Sequence, residues 1–489
     1  MFDVDNEAIT DGPVGRVLLL LAAPLVAQNL VYVANALVDT FWLGRVSEDA
    51  VAAVGLSLPI QSLLGAVVVV AAVGTQLLVA QRAGGGDDAG ARRVAVNGGL
   101  VALAVTAAVA VPVALYAEEL VRFLGADPAL ADTTAAYLAI IAAVLPVGAV
   151  GDTVENCFTA YGDTRAVLHV SVASVLVNLV AAPTLIFGLG PLPALGVEGA
   201  ALGTVLAGVA GLVHVLAYAA GIGRDTFRLT RDALAVDAGD LREIVSVGLP
   251  LGGQRGATEL VRVLVVSLVA VAGGAAGVAA YTVGARVATL AVVPALGTQQ
   301  AAQSMIGQNL GADAPRRARR TATVGTGIIV GAFLALGAVQ FAVAGGVVDL
   351  LAPDLTPGGR SLAVLYLRLL AVSYWALGGT YTLLAGFNGA SRTRTSLAAD
   401  VLKYWGIRFP IAVAAVPATA TFGAFGVAVA PGLGWGVEAV FWAVAVSNVV
   451  GFLGLGAYFA YTTRRGMFAN AADRARDDAE GGPAGTADD

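Results

Sequence analysis

With 489 residues, only 13% of them charged, and a mean hydropathy of +0.81, the chain lacks the polar surface that a soluble domain of its size needs. A single cysteine, Cys157, and two histidines, His169 and His214, exclude a disulfide scaffold and a thiolate or imidazole metal cluster. The net charge of −6 collects at the two ends, and no nucleic-acid partner is expected.

The chain opens with an acidic segment, residues 1–16, holding Asp3, Asp5, Glu7 and Asp11; it reads as a solvated cytoplasmic N-terminus and not as a cleavable signal. Apolar stretches near 17–43, 51–80, 92–116, 133–160, 166–187 and 197–220 are each long enough to cross a bilayer as a helix. A polar loop rich in Arg and Asp, 221–242, leads to a second series near 243–272, 278–308, 320–344, 361–389, 395–419 and 436–462. An acidic segment, 463–489, closes the chain and is expected to be solvated and disordered. These stretches predict an all-α membrane protein of about twelve spans: an N-lobe over 17–220, a linker over 221–242 and a C-lobe over 243–462. Arginines of alternate loops, from Arg82, Arg92 and Arg93 to Arg464 and Arg465, crowd one side, whereas only Arg45, Arg122 and Arg360 fall on the other. The positive-inside rule then places both termini in the cytoplasm of a multi-pass protein of the cell membrane.

The two series repeat one plan. Val51-Ala52-Ala53 recurs as Val278-Ala279-Ala280, Gln81-Arg82-Ala83-Gly84 as Gln308-Asn309-Leu310-Gly311, and Arg92-Arg93 as Arg319-Arg320, at one fixed offset. Six spans per repeat bring both halves into the membrane in the same direction. Their pseudo-two-fold axis therefore runs along the membrane normal, the plan of carriers that work by rocking two bundles.

Candidate site residues stand out against this apolar background. Gln28, Tyr32, Asn35 and Asp39 share one face of the first helix, where polar groups need protein or water as neighbours. Asn178 lies at similar depth on the fifth helix, so it and Asp39 are expected to meet. A carboxylate at that depth holds a proton, a Na⁺ or a cationic compound, one at a time. Tyr137 is expected to turn its hydroxyl to the same cavity or to anchor the interface. Asp152, deeper in the fourth helix, joins the candidates, whereas Glu155, a turn from the cytoplasmic end, is expected to meet interfacial water and arginine. The second half is basic instead. Glu259 can pair along its helix with Arg255 and Arg262, as a C-lobe site or gate, and Arg286 and Lys403 are expected to snorkel to lipid phosphates.

The run Pro24-Leu-Val-Ala-Gln-Asn-Leu-Val-Tyr-Val-Ala-Asn-Ala-Leu-Val-Asp39-Thr-Phe-Trp-Leu-Gly44-Arg45, followed by Ala50-Val-Ala-Ala-Val-Gly55, resembles the opening of the MATE (multidrug and toxic compound extrusion) transporters. Ala160-Tyr-Gly-Asp-Thr-Arg165, Asn178-Leu-Val-Ala-Ala-Pro183 and Ile306-Gly-Gln-Asn-Leu-Gly-Ala312 continue the likeness over roughly residues 12–465. The resemblance implies two six-helix lobes in a V that export amphipathic, mainly cationic, organic compounds in exchange for H⁺ or Na⁺. It implies a coupling role for Asp39 and Asn178, with Na⁺ a candidate ligand of both. The sequence departs from the family at Ala182, where an Asp is usual, and it offers no acid between Gly378 and Leu384 where one branch has an Asp. Glu259 falls about where that branch places a carboxylate. Besides the coupling ion, no cofactor is expected, and a monomer among membrane lipids is the expected unit. A flippase for a lipid-linked sugar or another anionic amphiphile is the alternative, with the basic second lobe as its wall. An enzyme would need clustered His, Cys or paired acids around a reaction centre, and a channel a repeated filter; neither pattern is found, nor is an ATP-binding GKS or GKT loop.

Overall fold

The computed structural model describes residues 9, 11–123, 128–222, 226–417 and 432–479. Most of the acidic N-terminal segment, residues 223–225 of the linker, the last two residues of the eleventh expected span and residues 480–489 of the tail lie outside them. In the first half six long helices follow one another: α1 (Val14–Gly44), α2 (Glu48–Gly84), α3 (Asp88–Leu115), α4 (Pro128–Ala160), α5 (Thr164–Phe187) and α6 (Gly196–Ala219). Short polar residues open several of them. Ser47 accepts a hydrogen bond from the Ala50 amide, and Asp163 from that of Ala166, satisfying donors that a helix start leaves free.

The second half begins with a 74-residue helical element, Ala238–Gly311, which at about 1.5 Å per residue is far longer than a bilayer is thick. It turns back at Gly274, whose φ of 55° and ψ of −153° suit only a residue without a β-carbon, so it forms two spans, α7 (238–273) and α8 (275–311). Then come α9 (Pro315–Leu351), α10 (Pro357–Gly389), α11 and α12 (Val437–Arg464). Helix α11 is built of Thr393–Val401, a π-helical turn Leu402–Arg408, and Phe409–Ala414. Twelve spans in two six-helix lobes result, and the described residues contain no strand.

The lobes meet at the end where the arginines gather, and glycines let them touch. A β-carbon on Gly84 would stand 2.1 Å from the Gln308 carbonyl oxygen, and one on Gly311 would stand 1.8 Å from that of Gln81. The repeated Gln-x-x-Gly segments thus press on each other reciprocally, as a two-fold relation requires. Their glutamines cross over as well: Gln81 donates to the Gly389 carbonyl (3.0 Å) and Gln308 to that of Ala160, each the last residue of the other lobe's fourth helix. Arg82 and Arg93 of the first lobe both pair with the buried Asp240 of the second at 2.8 Å. At the opposite end, the apolar clusters around Leu43, Tyr137 and Val121 contain no residue of the second half. The cleft between the lobes is therefore closed on the arginine-rich side.

One terminal expectation needs correction. Part of segment 463–489 is an ordered helix, α13 (Met467–Ala479), whose Met467, Phe468, Ala471 and Ala472 are buried and whose Arg476 reaches Asp313 at 2.5 Å. Asp473 and Asp477 lie on the exposed face of an amphipathic helix, so composition alone mistook it for a solvated tail.

Candidate functional site

The polar face of α1 closes onto α5. Asn178 Nδ2 donates to Asp39 Oδ1 at 2.7 Å and to Asn35 Oδ1 at 3.0 Å, while Asn35 Nδ2 donates to Asp39 Oδ2 at 3.1 Å. Both oxygens of Asp39 are thus oriented by neutral amides, with lone pairs left for a further partner. The Asn178 side-chain oxygen is buried and has no hydrogen-bond partner among the described residues. Tyr137 is buried behind this group, within electrostatic reach of Asp39 and beside Gln61. Ala182 packs against the backbone of Gly203 in the same apolar cluster as Tyr137, leaving Asp39 as the carboxylate at this level.

A turn or two deeper lies a cavity of about 250 Å³ framed by α1, α4, α5 and α6. Tyr32, Asn35, Asp152, Glu155, Ser174 and Asn178 give it polar walls. Its apolar side is formed by small residues of α6, among them Ala207, Gly208 and Gly211. Gln28 Nε2 donates to Glu155 Oε1 at 2.5 Å, and Ser171 Oγ to the Tyr32 hydroxyl at 3.1 Å. The α1 face accordingly serves two groups, Tyr32, Asn35 and Asp39 toward α5, and Gln28 toward α4. Glu155 departs from expectation. It is 9% exposed and bonded to Gln28 of α1 instead of meeting interfacial water.

The second lobe places its charges differently. Glu259, buried, bridges Arg255 at 3.0 Å and Arg262 at 3.1 Å along α7, while both arginines are half exposed. Asp400 accepts from Gln254 at 2.7 Å. Lys403 does not snorkel: it is 3% exposed, packed on Gly451 of α12 with its ammonium 5.0 Å from the Tyr404 ring. Arg408 is buried too, donating to Ser447 Oγ (2.9 Å) and Asn448 Oδ1 (3.0 Å). Arg286 lies exposed on α8.

Glu155 and Lys403 are the residues that sequence reasoning placed poorly. The signal for Glu155 is its spacing of three from Asp152, which puts both on one face of α4. No sequence signal marks the π turn in α11, which adds about one residue to a helical turn and swings Lys403 and Arg408 inward.

Comparison with known proteins bears on this arrangement. The sequence profile of the MatE family matches residues 24–184 and 257–414. The probable multidrug resistance protein NorM of Pseudomonas aeruginosa is 30% identical over 468 residues, 92% of this chain and 90% of that one. Among solved structures, a MATE protein in the bent conformation aligns with a TM-score of 0.85 at 21% identity, over 96% of this chain and 99% of the other. The outward-facing conformation of a multidrug resistance MATE family transporter gives 0.84 at 22%, with the same coverage. At these identities the structural likeness speaks to the fold.

Proposed function

This chain belongs to the MatE family, and on that premise we propose that it is a secondary active antiporter of the cell membrane, exporting amphipathic, mainly cationic, organic compounds in exchange for H⁺ or Na⁺. The observation that carries this reading is the bond set of Asp39, Asn35 and Asn178 at the edge of the first-lobe cavity. Holding a half-buried carboxylate among neutral amides, with no cation paired to it, is unfavourable until a cation arrives to neutralise it. A proton binds either oxygen; a Na⁺ takes the carboxylate together with the unpaired carbonyl oxygen of Asn178. An organic cation entering the cavity competes for the same charge, and this competition is the coupling. Alternating access then consists of parting the lobes at the Gly84–Gln308 and Gly311–Gln81 contacts while they close at the other end. Both termini lie in the cytoplasm and the working unit is a monomer in this reading.

A second reading rests on the half-exposed Arg255 and Arg262, whose charges exceed that of Glu259 between them and leave a positive wall on α7. That wall suits an anionic amphiphile such as a lipid-linked sugar. Proteoliposomes loaded with a fluorescent cationic dye separate the two. Dye efflux driven by an imposed Na⁺ or pH gradient is expected. Absence of efflux under both gradients, from monodisperse protein, would transfer the case to the anionic substrate.

A further inference from the structure

Asp39 is not alone in the first lobe. Asp152 and Glu155 sit three residues apart on α4 and both line the cavity that Asn178 and Tyr32 border from the other side. Neither forms an ion pair with a described residue, and the cavity walls contain no basic side chain. Glu155 is nine-tenths buried, held by the Gln28 amide, and shares its surroundings with Ser171 and Tyr32. The unpaired carbonyl oxygen of Asn178, 1% exposed, belongs to the same lining. The two histidines of the surrounding helices lie elsewhere: His214 of α6 rests on the Tyr218 ring, and neither it nor His169 borders the cavity. Two carboxylates, Glu155 buried and Asp152 exposed, and a lone carbonyl oxygen around room for roughly eight waters form a site with no positive charge to balance it.

We propose that Asp152 and Glu155, the latter held by Gln28, form a second exchangeable-cation station that the coupling ion occupies, deeper in the first lobe than the Asp39 station. This rests on the antiporter reading above. The small residues of α6 leave the space, and Asn35 and Asn178, which hold Asp39, also line the cavity and so join the two stations. Each transport cycle then exchanges more than one cation. The ion is the same H⁺ or Na⁺ at both levels, since both offer carboxylate oxygens among neutral polar groups.

The test counts protons released by the full-length protein in weakly buffered detergent solution near pH 7. It uses saturating tetraphenylphosphonium, and separately NaCl against choline chloride, with Asp39→Asn, Glu155→Gln, Asp152→Asn and the Asp39→Asn/Glu155→Gln double variant. Glu155→Gln keeps an oxygen for the Gln28 amide, and Asp152→Asn provides an independent variant should either fold poorly. Two stations predict that Asp39→Asn keeps about half the wild-type release, that Glu155→Gln and Asp152→Asn each lower it about twofold, and that the double variant releases none. Release from NaCl identifies Na⁺ as the occupant; release from tetraphenylphosphonium alone identifies H⁺. Wild-type release in both Glu155→Gln and Asp152→Asn, or none in Asp39→Asn alone, overturns the inner station. Unchanged release in Asp39→Asn with halved release in Glu155→Gln supports the inner station and counts against the coupling role given to Asp39.

Discussion

The two lobes follow one plan and fill its centre in opposite ways. Taken from their helix starts at Gly196 and Gly436, α6 and α12 align Ala207-Gly208 with Ser447-Asn448, and Gly211 with Gly451. In the first lobe Gly211 faces Ser174, Gly208 has open space beside it, and the cavity survives. In the second, Gly451 receives the stem of Lys403, while Ser447 and Asn448 hold the guanidinium of Arg408. Arg408 stands one residue further from its helix start than Asn178 does in α5, a difference the π turn absorbs. So where the first lobe keeps a carboxylate and a void, the second has long cations that occupy the equivalent volume and satisfy themselves with neutral partners. A duplicated scaffold carries a site only where small side chains leave room for one.

Four experiments sharpen or break this contrast, beginning with the largest effect. Replacing Asp39 with Asn is expected to remove gradient-driven dye efflux, a loss of tenfold or more, without disturbing monodispersity. Equal loss on replacing Arg408 would mean that the lobes share the work. Gly208→Asn gives the first lobe the second lobe's residue at a position with free space, so the protein should fold while dye affinity falls about tenfold as the cavity fills. Unimpaired affinity would detach the cavity from transport. Arg408→Met strips Ser447 and Asn448 of a buried charged partner and should lower the unfolding free energy by about 2–3 kcal/mol. Thermal unfolding measures this, with efflux by the remaining folded protein near wild type. The smallest effect distinguishes the starts of the lobes. Pro13 before α1 provides no side-chain cap, whereas Asp237 caps α7 by accepting from the Asp240 amide, a bond that holds its carboxyl below the usual range. A depressed carboxyl stabilises the fold above its unfolded pKa and loses that contribution as pH falls through the folded value. Asp237→Ala should therefore reduce stability slightly at neutral pH and flatten its decline toward acid, as followed by unfolding midpoints from pH 7 downward.

Much of the site was readable because it follows helical spacing. The recurrence of Gln28, Tyr32, Asn35 and Asp39 every three or four residues defines a face whatever it packs against, and comparable depth brought Asn178 to Asp39. Pairing of Glu259 with Arg255 and Arg262 was legible for the same reason, being local to one helix. Glu155 was not, since its environment depends on Gln28, far away in the chain. Lys403 misled because a long side chain near a helix end has two destinations, lipid phosphate or lobe interior, and Gly451 opened the second.

The sequence by itself determined the number of spans, the duplication, the polar face of α1 and the acidic-versus-basic character of the two halves, because hydropathy, period and charge are properties of single segments. Only the tertiary structure decided which half keeps a cavity, that the arginine-rich ends are pressed together through Gly84 and Gly311, and that Glu155 faces Asp152's cavity instead of the interface. Those outcomes depend on volumes contributed by helices far apart in the chain: a void exists or vanishes according to whether Gly208 or Asn448 stands opposite the fifth helix of its lobe, and no single segment carries that information.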